Sequence, residues 1–145
     1  MLWLDTSVLV SLYVPEARPA RVARLVRRSG DPIPFSQLHE LELTNALRLR
    51  VFRREATRKQ VDATLARIAE DLDAGVLYRV AVDWPLVLAR CIELADRHTP
   101  QLGCRSLDLL HVSAATMSAS ERFVTADRRQ STAARRAGLV TTRIA

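Results

Sequence analysis

The sequence predicts an α/β protein: a mostly parallel central sheet of about four to five strands flanked by helices, in a single domain over 1–145. Three observations carry this. Short apolar runs of strand length alternate with longer stretches of helical periodicity. The 145 residues are enough to bury roughly 68–70% of the unfolded surface in one core. Only four Gly and six Pro leave little chain for long loops, and 48% apolar residues with a mean hydropathy of −0.01 suit a globular interior.

Taken in order, Leu2–Leu4 reads as a strand and Thr6–Tyr13 as a short helix that stops at Pro15. Asp5-Thr6-Ser7 is the polar joint between them, where an aspartate serves as an N-cap. Ala17–Arg28 sets Val22, Leu25 and Val26 among arginines, a helical stripe ended by Ser29-Gly30. Pro32–Ser36 is a short extended piece. Gln37–Arg53 and Thr57–Ala74 follow as helices, the second closed by Gly75. Val76–Val82 is β-branched and aromatic and reads as a strand. Asp83-Trp84-Pro85 starts a helix with proline in the first turn, running to Arg97. Thr99–Arg105, with Pro100 and Gly103, is expected to be a loop. Ser106 is expected to cap an alanine-rich helix to Met117. Phe123–Thr125 is a strand and Asp127–Ala137 a helix, with Gly138 its C-cap before the extended Leu139–Thr142. Aromatic residues make up only 5%, so the core should be aliphatic. No repeat or low-complexity tract interrupts this order.

The net charge is +6 with a pI near 10.5, and Lys59 is the one lysine, so the positive charge is arginine. Guanidinium forks bind phosphate in bidentate fashion, which makes a polyanionic partner plausible. An arginine-favouring codon composition gives the same excess without any function. Cys91 and Cys104 are too few for a disulfide framework or a zinc site and read as buried free thiols. No apolar run reaches the ~18–20 residues of a membrane span. The opening MLWLDTS lacks the basic segment and cleavage site of a signal peptide, so a cytoplasmic location is expected.

Two acids follow predicted strands directly. Asp5 comes after the first strand and Asp127 one residue after Phe123–Thr125, so both fall at the carboxyl ends where an α/β sheet places its working residues. Each is also a ready helix cap. Asp108 stands in the first turn of its helix, where its charge suits the dipole, yet among Leu109, Leu110 and Val112 it needs a cation or strong hydrogen bonds. In LHELELTNAL, Glu40 and Glu42 are two apart and point roughly 200° from one another around a helix. Glu42 shares a semi-buried stripe with Leu38, Asn45 and Ala46; Glu40 aligns with Thr44 and looks outward. Clustered carboxylates repel unless a cation joins them, and oxygen-only donors favour Mg²⁺ or Mn²⁺. Acids, metal and a basic surface together suit phosphodiester hydrolysis.

The stretches DTSVLVSLY, SQLHELELTNALRLR, RSLDLLHVSAA and FVTADRRQ resemble the PIN-domain superfamily, and within it the VapC-type toxin ribonucleases of type II toxin–antitoxin systems. The resemblance covers essentially the whole chain. It implies a PIN-like fold and a metal-dependent endoribonuclease. It assigns Asp5, Glu42, Asp108 and Asp127 to the acidic quartet that binds Mg²⁺, with Glu40 the alternative second acid. It puts Thr6, Ser7 and Thr125 where accessory hydroxyls stand. RNA as substrate, a cognate antitoxin and a homodimer are the implied partners. Arg105, Arg128 and Arg129 are candidates to hold the RNA backbone or are plain surface charges. The alternatives are a PIN nuclease of RNA processing and a non-catalytic RNA- or protein-binding module.

Other residues point elsewhere. His111, three residues after Asp108, reads as a satisfied core histidine that could steady that carboxylate. His39-Glu40-Leu41-Glu42 lacks the second histidine of a zinc protease. Ser36 and Ser106 have no nucleophilic triad around them. Trp3 and Trp84 read as core or interface residues. Arg48, Arg50, Arg53, Arg54 and Arg58 form either a solvated face or a surface for RNA or antitoxin.

Overall fold

The computed structural model describes residues 1–14 and 19–144. The helix stop at Pro15 and the helix start at Ala17 lie outside the described residues. The elements run β1 (Leu2–Leu4), α1 (Thr6–Tyr13), α2 (Pro19–Ser29), β2 (Ile33–Phe35), α3 (Gln37–Phe52) and α4 (Arg58–Asp73). They continue β3 (Leu77–Arg79), α5 (Trp84–Leu102), α6 (Ser106–Met117), β4 (Arg122–Thr125), α7 (Arg128–Arg136) and β5 (Val140–Arg143). All pairings are parallel, as expected.

The five strands divide into two sheets, β1-β4-β5 and β2-β3, with β2 lying alongside β1 unbonded. Two residues account for the break. Ile33 N–H and Phe35 C=O both face β3, so Pro34 faces β1, and proline has no N–H to offer. From the other side, the Leu4 carbonyl that would bond β2 is taken by the His39 ring at 2.8 Å.

Alternation along β1 builds a three-layer core. Leu2 and Leu4 face a cluster with Leu9, Leu43 and Val61 from α1, α3 and α4. Trp3 faces the other way, into a cluster with Val87, Leu109, Val112 and Ala133 from α5, α6 and α7. A strand buried on both faces suits a parallel sheet covered by helices. The core is chiefly aliphatic, but Trp3 and Phe123, opposite one another in register, are its largest fully buried side chains. Each such aromatic contributes roughly 2–3 kcal/mol by burial.

Three local expectations are corrected. The extended run over Val76–Val82 makes a strand only over Leu77–Arg79, because β2 offers just three partners. Thr99–Arg105 is not a loop at its start: α5 continues through Pro100 to Leu102. The buried stripe Val87, Cys91, Leu94 and His98 carries the helix past Arg97, and the exposed Pro100 deletes one donor only. The helix ends at Gly103, whose φ of +61° allows the left-handed cap that bonds Thr99. The cap of α6 is Arg105, with Ser106 already inside the helix. Among the described residues, no helix is long and apolar enough to cross a membrane.

β1 leads through α1 and α2 to β2 on one side, while β4 leads through α7 to β5 on the other. The carboxyl ends of β1 and β4 are therefore where the winding reverses, and a crevice opens there.

Candidate active site

Asp5 ends β1 and caps α1, and both duties orient its carboxylate. Its N–H bonds the Val124 carbonyl at 2.9 Å. Oδ1 accepts the Val8 N–H at 2.8 Å and the Ser7 hydroxyl at 2.7 Å. Oδ2 accepts the Thr125 hydroxyl in a short bond from the end of β4. The helix cap and the candidate site residue are thus one and the same buried carboxylate, which accepts from three donors. Thr125 is itself fully buried: its oxygen accepts the Asp127 N–H at 2.9 Å and lies 2.6 Å from Gln130 Oε1. A hydroxyl has one proton, so Asp5 and Gln130 compete for it.

Glu42 reaches the same crevice from α3. Oε2 accepts the Thr6 hydroxyl at 2.6 Å and stands 2.5 Å from His111 Nε2. The Trp3 indole N–H, which can only donate, points at His111 Nδ1 at 3.3 Å. That assigns the His111 proton to Nε2, facing Glu42. Burial acts to raise the Glu42 carboxyl, but the hydrogen bonds from His111 and Thr6 outweigh it and hold the group below its usual range. Behind them sits His39. The Ser36 N–H donates to its Nδ1 at 3.1 Å, so Nε2–H donates to Leu4 C=O. Burial first, then the neighbouring His111, pushes His39 down to about 3.

Asp108 occupies the first turn of α6. Arg105 Nε donates to Oδ2 at 2.9 Å and Nη2 to Oδ1 at 3.3 Å, which supplies the cation this carboxylate needs. The Arg105 side chain is 77% exposed, so the pair contributes no more than ~1 kcal/mol and opens easily. Asp127 caps α7, accepting the Gln130 N–H at 2.8 Å. Gln130 ties the last two helices together by donating from Nε2 to the Asp108 carbonyl at 3.2 Å.

Asp5, Glu42, Asp108 and Asp127 line one cavity of about 120 Å³, together with Thr6, Ser7, Arg105, His111 and Gln130. Several waters fit, since one needs roughly 10–15 Å³. Glu40 does not take part: it pairs with Arg79 at 2.7 and 3.0 Å on the outside of α3. Of the three candidate arginines, Arg105 alone lines the cavity. Arg129 donates to the Gly103 carbonyl, and Arg128 lines a separate hollow toward β5. His111 is buried as a core histidine should be, but its partner is Glu42 rather than Asp108. Gln130 ends the stretch FVTADRRQ, but a neutral amide beside two arginines and an aspartate gives no charge or ligand signal that singles it out. The two cysteines are buried and free, and burial raises both thiols.

The donor set is hard oxygen, which fits a divalent cation of the Mg²⁺ class. Among the described residues, no three His, Cys, Asp or Glu side chains are grouped to hold one ion directly. Mg²⁺ keeps most of its waters and needs only one or two direct carboxylates, so acids spaced around a wet cavity suit it.

A family model described as PIN domain matches residues 2–136. The fold is similar to a crystal structure of FitAcB from Neisseria gonorrhoeae, at 18% identity, covering 97% of this chain and 96% of that one, with a TM-score of 0.62. It is also similar to VapBC2 from Rickettsia felis bound to a DNA fragment from their promoter, at 17% identity over the whole of both chains, with a TM-score of 0.66. Among curated proteins, nothing matches.

Proposed function

The chain belongs to the PIN-domain family, and from that premise we propose that it is a Mg²⁺-dependent endoribonuclease, the toxin of a toxin–antitoxin pair acting in the cytoplasm. PIN domains are in general nucleases that use divalent metals. The observation that carries the reading is the convergence of Asp5, Glu42, Asp108 and Asp127, from four distant parts of the chain, on one cavity at the sheet's reversal point. The toxin half rests on the resemblance of DTSVLVSLY, SQLHELELTNALRLR, RSLDLLHVSAA and FVTADRRQ to VapC-type toxins, and the fold shared with VapBC2 agrees with it. A cognate antitoxin and a second copy of the chain complete the inferred partners.

Two of the four carboxylates would hold the cation directly and the others through its waters, with Mn²⁺ a substitute. When bound, it supplies Lewis acidity at the scissile phosphate and offsets charge in the transition state. The protein's own part is preorganisation. Ser7, Thr125 and the Val8 N–H fix Asp5 in one orientation. Thr6 and His111 fix Glu42 and keep it ionised. His111 holds its proton at Nε2 against Glu42, leaving that carboxylate one face for the cavity. Arg105 covers Asp108 until an RNA phosphate competes for the guanidinium, which then neutralises substrate charge.

Purified protein should cleave single-stranded RNA with Mg²⁺ and stop with EDTA. Asp5→Ala and Asp108→Ala should each abolish cleavage, and growth arrest on expression, with the circular dichroism spectrum unchanged. Full cleavage by both variants would refute the site.

A further inference from the structure

A second basic hollow lies one strand away from the acid cavity. On α7, Arg128, Ser131 and Arg135 are spaced i, i+3 and i+7 and share one face; on β5, Thr141 and Arg143 are two apart and share another. These two faces meet across a hollow of about 440 Å³ lined by these five residues. Three arginines, a serine and a threonine thus line it, and no acidic residue does. Ser131 is 4% exposed and its Oγ lies 3.5 Å from Thr141 Oγ1, so the floor is built rather than open surface. Among the described residues, no ion pair engages Arg128, Arg135 or Arg143; Arg135 donates only to the neighbouring Thr132 hydroxyl, at 3.4 Å. Like charges gathered this way repel, and an anion relieves them.

Position relates the hollow to the candidate active site. Arg143 is the register partner of Thr125, the residue whose hydroxyl holds Asp5. Arg128 directly follows Asp127, the cap of α7. The carboxyl ends of β1, β4 and β5 thus present acids and then arginines, at the ~4.8 Å step between strands. The geometry points to a phosphate-binding tract at α7 and β5 that holds the RNA backbone beside the cleavage position; the identity of the polyanion rests on the proposed nuclease function. The hollow contains no aromatic side chain on which a base could stack. It therefore reads phosphate and is indifferent to sequence.

The test uses the full chain in EDTA, so that RNA is bound and not cut. Fluorescein-labelled 12-nucleotide poly(U) and poly(A) are titrated by anisotropy from 50 to 200 mM NaCl, alongside labelled poly-glutamate. Arg135→Gln/Arg143→Gln should weaken both RNAs by a similar factor and flatten the slope of log affinity against log salt by about 1.4, at about 0.7 per phosphate contact. Arg21→Gln/Arg24→Gln on α2, equal in charge lost, should leave the slope near that of the parent. Equal slopes for parent and Arg135/Arg143 variant, an equal loss in the α2 control, or arginine-dependent binding of poly-glutamate without RNA would each overturn the tract. Cleavage with Mg²⁺ is scored separately. A parent that cuts RNA while the arginine variant binds normally removes the tract and keeps the nuclease. A parent that binds through these arginines without ever cutting does the reverse.

Discussion

The Thr125 hydroxyl has no solvent contact and meets Asp5, Gln130 and the Asp127 N–H at once, so a single oxygen joins the ends of β1, β4 and α7. Thr125→Val keeps the shape but leaves a buried carboxylate short of one donor and a backbone N–H without its acceptor. The expected cost is about 1–3 kcal/mol, a fall of several degrees in Tm. Cleavage should fall with it, and Thr125→Ser should restore both; an unchanged Tm in the valine variant would show the hydroxyl to be incidental. The two neighbouring glutamates separate just as cleanly. Glu42→Gln should abolish Mg²⁺-dependent cleavage, whereas Glu40→Ala, which loses only the exposed pair with Arg79, should stay within about twofold of the parent. The opposite ranking in a single-turnover assay would move the site to the outer face of α3.

At the scale of elements, helix starts carry three of the four proposed metal ligands. Asp5 and Asp127 are N-caps by side-chain hydrogen bond, and Asp108 closes the first turn of α6 on Arg105. A cap fixes a carboxylate more tightly than a mid-helix position can, because the backbone N–H it accepts is immobile. Helix ends matter differently. Gly103 sets where α5 turns into α6 and so where Asp108 begins its turn. Its φ is +61°, and an added Cβ would meet only Arg129 Nη1 at 3.7 Å, an ordinary contact. Gly103→Ala should therefore cost about 1 kcal/mol from backbone strain alone, lowering Tm by about 2–4 °C in a calorimetric scan. A loss much above this would mean that the turn carries contacts beyond its dihedral angle.

Across the whole molecule, stability should depend on acid through the buried pair of layers around Trp3. His39 folds with its pKa held at about 3, below the usual 6.5, so the unfolded chain binds one more proton between those values. Stability is then full above the unfolded value and falls as pH drops toward 3, at up to about 1.4 kcal/mol per pH unit. The Glu42 carboxyl, also held low, is likewise stabilising above its unfolded pKa and loses that contribution as pH falls through its lower folded value. Urea unfolding at pH 7, 6, 5 and 4 should show this slope, reduced by about one proton in His39→Gln; an unaltered slope in that variant would place the acid sensitivity elsewhere.

Element order, the parallel class of the sheet and the acids at strand ends follow from local chemistry: apolar periodicity, caps and turn residues act within a few positions. That is why β1, α1, α6 and α7 were legible almost to the residue, and why Asp5 and Asp127 could be placed at carboxyl ends. What depends on distant partners was not. Trp3 and His111 are 108 positions apart, and their bond decides that the His111 proton stands on Nε2, toward Glu42. The split between sheets turns on Pro34 and on a His39 ring that reaches Leu4. Arg128 looked like a neighbour of the acids because it follows Asp127, yet the helical turn carries it to the β5 side. Sequence sets which side chains are available at each element's end; only packing of the layers decides which of them share a cavity, because that choice is made by contacts between segments far apart in the chain.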